Sequence, residues 1–150
     1  MGMSALSSKG IIVLLLGISS AVSAYILAVD EFLWQMNPIN YHAYALVLFL
    51  AVDAVLILLT LKGLRFSAFL TMGWGGLQVA LIIGDVVGGL GLPGVSATAA
   101  YRFLILGEDN PSGLATDFLV VLYALLFFVS LRSFLASRRG AAETVACPHA

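Results

Sequence analysis

Residues 49–58, "FLAVDAVLIL", place one acid, Asp53, in the middle of apolar residues. A charged side chain at the centre of a bilayer costs about 2.5–3.5 kcal/mol on insertion scales. The acid therefore needs compensation, from a hydrogen-bonding neighbour on another helix or from water, an ion or a partner subunit. The stretch sits inside a longer apolar run, about Tyr41 to Leu61, that is long enough to cross the hydrocarbon core.

Three more such runs follow the same reading, about Gly10 to Val29, Phe66 to Val87 and Leu114 to Leu135. The 150-residue chain is 61% hydrophobic and 10% charged, with mean hydropathy +1.07. Soluble domains carry about a quarter charged residues, so this composition belongs in a membrane. The net charge of −1 and the lack of a long basic run exclude a nucleic-acid partner. Cys147 is the single cysteine, so no intramolecular disulfide forms. The expected fold class is all-α: a polytopic membrane protein with four transmembrane helices in an up-down bundle. That domain is expected over residues 1–136, with a flexible cytoplasmic tail over 137–150.

Lys9, the apolar stretch and "AVSA" ending at Ala24 resemble a cleaved signal peptide, but the apolar run continues through "YILAV", which favours a retained helix. Lys9, Lys62, Arg65, Arg132, Arg138 and Arg139 then fall on one side and only Arg102 on the other. By the positive-inside rule both termini are expected in the cytoplasm of a multi-pass cell-membrane protein. Only "KGLR" separates the second and third runs, which predicts an antiparallel hairpin in direct contact. The first outer loop, "DEFLWQMNPIN", reads as an interfacial segment. In "VSATAAYRFLIL", Val95, Ala99, Phe103 and Leu106 recur at helical spacing, predicting a short interfacial helix between the third and fourth spans. Ser112 is the expected N-cap of the fourth span.

Helical residues 7 or 11 apart return to nearly the same face. His42, Asp53 and Thr60 thus form one polar stripe on the second span, and Thr71, Gln78 and Asp85 form another on the third. Counted by depth, the two stripes match in three layers, so Asp53 is expected beside the Gln78 amide and His42 beside Asp85. Such a cluster serves either as polar glue that fixes helix register or as a proton or ion path. Gly76, Ala80, Gly84 and Gly88 recur every four residues, a small-residue groove for close helix approach either within the bundle or to another chain. Gly17 and Ala21, with Ser20, Ala24 and Ala28, repeat the device on the first span, which is expected to pack on the third. The fourth span is bulky nearly all round, with Tyr123 and Ser130 its mid-span polar pair, and is expected at the periphery or facing a subunit.

The recognised nucleotide, zinc-protease, redox and esterase motifs do not occur. Ser19, Ser20 and Ser23 are expected to bond back to their own helix carbonyls. Metal chemistry lacks a converging ligand set, and the cofactor is unknown; haem held through His42, with Met36, Met72 or a neighbouring subunit opposite, is the set the residues allow. The function expected is that of an accessory or structural subunit of a larger membrane complex, such as a respiratory one, partnered by lipid and by other subunits or itself. The alternative is an oligomeric proton- or ion-coupled transporter or channel using Asp53. A haem- or quinone-binding redox subunit is the third reading.

Overall fold

The structure is a computed structural model that describes residues 7–30, 34, 41–64, 66–90 and 111–146. Among them every regular element is helical: α1 (Ser8–Val29), α2 (Tyr41–Leu61), α3 (Ser67–Leu90) and α4 (Pro111–Ala146). All four are long and apolar enough to cross a membrane. The interfacial helix expected between the third and fourth spans falls at 91–110, outside the described residues.

Local chemistry sets the helix ends. Ser7 caps α1, its side chain accepting the Gly10 N–H at 3.3 Å. At the other end the Asp30 N–H donates to the Ile26 carbonyl at 3.0 Å. α2 stops at Gly63, whose φ of 69° suits a residue without a Cβ. The Gly63 N–H bonds the Thr60 carbonyl at 3.0 Å and the Leu64 N–H bonds that of Leu59 at 3.3 Å, the paired closure of a Schellman motif. A Cβ at Gly63 would lie 3.1 Å from Lys9 Nζ, so the Lys9 ammonium stands over this turn, where the negative end of the α2 dipole favours a cation.

α4 opens on Pro111, whose missing N–H costs nothing in a first turn. Ser112 is therefore inside the helix and not its cap; its hydroxyl donates to Asp30 Oδ2 at 2.6 Å. That contact ties the end of α1 to the start of α4, where the helix dipole stabilises the acid. α4 also runs on to Ala146, past residue 137, where the small polar composition suggested irregular chain.

α1 packs between α2 and α4, and α4 between α1 and α3. Among the described residues, α2 and α3 touch over a short stretch, and neither α1 and α3 nor α2 and α4 bring Cα atoms within 8 Å. Three expectations change. The short link joins α2 and α3 without making them the main packed pair; α1 does not pack on α3; and α4 is central to the packing. The reason lies on α4 itself: Leu119, Leu122, Tyr123, Leu126 and Ser130 are all buried, and their spacing makes one inward stripe on a helix that looks uniformly apolar. With Ile12, Leu16, Ile26 and Leu56, the residues Leu119, Leu122, Tyr123 and Leu126 form the hydrophobic core.

α3 and α4 approach each other closely at Gly75. A Cβ there would meet the Tyr123 carbonyl oxygen at 2.8 Å and the Phe127 nitrogen at 3.0 Å. Among the described residues of the expected groove, Gly76 faces the Phe127 ring at 3.3 Å, while Ala80 and Gly84 are exposed. The side of Gly88 lies outside the described residues.

Candidate functional site

Asp53 is the geometric centre of the polar interior. It is 0% exposed, and each of the other three helices sends it a donor. From α1, the Ser19 hydroxyl donates to Oδ2 at 2.7 Å, with the Leu16 carbonyl at 2.9 Å as a competing acceptor; Ser20 reaches the same oxygen at 3.5 Å. From α3, the Trp74 indole N–H donates to Oδ1 at 2.7 Å. From α4, the Tyr123 hydroxyl donates to Oδ2 at 3.2 Å. The two aromatic donors are held by Phe49, one turn before Asp53 on α2, which meets Trp74 edge-on at 5.7 Å and Tyr123 at 6.5 Å.

The two sequence stripes meet this centre unequally. Asp53, Thr60, Thr71 and Gln78 are all buried in the bundle, at 2% exposure or less. Asp53 and Gln78 nevertheless share no hydrogen bond. The Asp53 oxygens are taken by the donors above, and neither amide atom of Gln78 has a partner. Trp74 displaces Gln78 from the expected pairing because its long side chain reaches the carboxylate from one turn away on α3. Thr71 donates to the Ser67 carbonyl of its own helix at 2.7 Å. The hydroxyls of Thr60, Ser23 and Ser130 are buried without a partner. His42 is exposed at the start of α2. The Asp85 side chain, and with it the expected His42–Asp85 pair, lies outside the described residues.

Ser19, Trp74 and Tyr123 are the hub residues that stripe reasoning missed. The available signal was an inventory of donors: a Trp N–H and a Tyr O–H buried in hydrocarbon each need an acceptor, and Asp53 is the mid-span acid. Chemically, an acceptor ringed by four donors is suited to holding four helices in register. Among the described residues no three His, Cys, Asp or Glu side chains converge on a metal-sized site. Met36 lies outside the described residues and Met72 is half-buried on α3.

Outside the hub, α1 and α4 border an apolar groove of about 580 Å³, floored by Gly17 and Ala21 and walled by Leu14, Tyr25 and Phe118. Gly17, Gly73 and Gly84 have nothing within 4 Å of where a Cβ would stand, so these small residues face outward. No family model matches the chain, and no curated protein or solved structure matches it either.

Proposed function

We propose that this is a small integral membrane protein that works by packing, as an accessory subunit of a larger membrane complex. The observation that carries the reading is the direction of its small residues: Gly17, Ala21, Gly73, Ala80 and Gly84 are exposed on the outside of the bundle. Small residues in a membrane helix let another backbone approach closely, and here that capacity is not spent inside the chain. Asp53, meanwhile, is committed to internal donors, which suits a rigid subunit.

On this reading the bundle runs up and down. Lys9 with the Gly63 turn and Ser19 with Asp53, partners that run backwards along α2 as α1 runs forwards, support an antiparallel run of α1 and α2. Asp30 with Ser112 does the same for α1 and α4, and Phe69 with Phe134 (5.7 Å), beside the Gly75 contact, for α3 and α4. Both termini are cytoplasmic. Cys147 tests this directly, because a membrane-impermeant maleimide added to intact cells should label it only after permeabilisation.

The subunit reading is tested by mild-detergent isolation from native membranes. Stable association with larger membrane proteins is expected, weakened by Gly17→Leu or Gly84→Leu without loss of helix content. A chain that elutes alone at every detergent concentration would sink the reading. The rival, proton or ion coupling through Asp53, is favoured by the unpaired polar groups around it, and predicts liposome ion flux abolished in Asp53→Asn.

A further inference from the structure

We propose that the layer formed by Gln78 and Ser23 is an internal water site, and that water held there is the hub's route of proton exchange. The inference goes beyond the packing role and holds with or without partners.

The asymmetry around Asp53 carries it. Ser23 lies four residues beyond Ser19 on α1, and Gln78 four residues beyond Trp74 on α3. At 1.5 Å per residue both stand about 6 Å from the hub, toward the end marked by the Asp30–Ser112 contact. Both are 0% exposed, and neither Ser23 Oγ nor either Gln78 amide atom has a hydrogen-bond partner. The Ser23 hydroxyl lies near that of Tyr123 without a hydrogen bond to it. A buried serine has its own helix carbonyls to fall back on. The amide of Gln78 does not, since it needs a donor and an acceptor together, and the positions level with it on α2 and α4, Phe49 and Leu119, four residues from Asp53 and Tyr123, are apolar.

A single water supplies both. It donates to Gln78 Oε1, accepts from Gln78 Nε2 or from the Ser23 hydroxyl, and keeps a bond for the Tyr123 oxygen beside Asp53. Buried waters make about three hydrogen bonds each, which this layer provides. On the opposite side of the hub the equivalent layer is Leu16, Leu56 and Leu126, each three residues away from Ser19, Asp53 and Tyr123 and each buried, with Thr71 on α3, whose hydroxyl is already given to the Ser67 carbonyl of its own helix. Those leucines offer water nothing to bind. Exchange therefore runs through the Gln78 side: a water proton passes to the hub as one of the hub's protons returns to water, with no net change in charge or redox state.

The test is solid-state NMR on the full chain in lipid bilayers. The sequence has two glutamines, Gln35 and Gln78, and two tryptophans, Trp34 and Trp74, so side-chain ¹⁵N labelling gives signals that Gln35→Ala and Trp34→Phe assign. Water-edited spectra should show polarisation transfer from water to Gln78 Nε2. In Gln78→Leu, hydrogen–deuterium exchange at Trp74 Nε1 should slow by roughly tenfold or more while the backbone amides of α3 and α4 keep their rates. Absence of transfer to Gln78 would overturn the site. An unchanged Trp74 rate, or slowing of the indole and the backbone amides together, would show that exchange goes by helix opening and would overturn the route. Should Gln78→Leu fail to fold, Ser23→Ala read by the same two signals decides it.

Discussion

Asp53 and Gln78 are both fully buried polar side chains on inward faces of their helices, yet one has four hydrogen-bond donors around it and the other has no partner. The difference is one of reach and supply. A carboxylate only accepts, and the three helices around it carry hydroxyls and an indole that only need an acceptor. An amide needs both kinds of partner, and the side chains level with it on α2 and α4, Phe49 and Leu119, are apolar. Burial alone therefore does not identify a polar group as glue; the inventory of complementary atoms does.

The sharpest way to break the contrast is to remove the acceptor. Asp53→Ala leaves the Trp74 N–H and the Ser19 and Tyr123 hydroxyls without it. With interhelical bonds in membranes averaging ~0.6 and reaching ~1.7 kcal/mol, the loss is expected at about 2–5 kcal/mol. Unfolding titrations from mixed micelles measure it. Asp53→Asn keeps Oδ1 for Trp74 and should cost clearly less. Equal losses in the two variants would mean that the Trp74 bond contributes little.

A second break concerns packing. Gly75→Ala drives a methyl group to 2.8 Å from the Tyr123 carbonyl oxygen and 3.0 Å from the Phe127 nitrogen, and both are backbone atoms that cannot step aside. Overpacking of this kind costs about 1–3 kcal/mol. Gly73→Ala, two residues away and facing outward, should leave stability level or slightly raised, because nothing lies within 4 Å. If the two alanines behave alike, the α3–α4 seam does not run through Gly75.

A third prediction sharpens the comparison from Gln78's side. If its amide is satisfied by water, Gln78→Leu exchanges those bonds for apolar contact and shifts stability by about 1 kcal/mol or less. A gain of several kcal/mol would mean that the amide is buried dry.

These particulars also show what can be read from the chain alone. Spacing by 7 and 11 grouped His42, Asp53 and Thr60 on one helix and Thr71, Gln78 and Asp85 on another; Asp53, Thr60, Thr71 and Gln78 are buried, because helical periodicity is a local property, while His42 at the helix start is exposed. The four apolar spans were legible for the same reason. Pairing was not. The short link between α2 and α3 invited the assumption that these two supply each other's partners, but a link constrains only the ends, and α2 leans on α1. Depth counted on Cα positions also ignored the span of an indole, which lets Trp74 take the place assigned to Gln78. On α4 the inward stripe was hidden because buried Leu122 and exposed Leu125 are the same residue type.

The smallest effect is the most diagnostic for the hub's fourth side. Tyr123→Phe removes only the hydroxyl that reaches Asp53 Oδ2 at 3.2 Å and keeps the ring that meets Phe49 edge-on. That bond is the longest of those from Ser19, Trp74 and Tyr123, and Oδ2 retains Ser19 at 2.7 Å, so no carboxylate oxygen is stripped bare. The expected cost is about 0.6 kcal/mol, the mean for an interhelical bond in a membrane. Made in the Asp53→Ala background, the same change should cost less, since the acceptor is already gone, and the difference between the two measurements isolates the Tyr123–Asp53 coupling. Equal costs in both backgrounds would place the contribution of Tyr123 in its ring and its burial among the leucines, leaving α4 tied to the hub by packing alone.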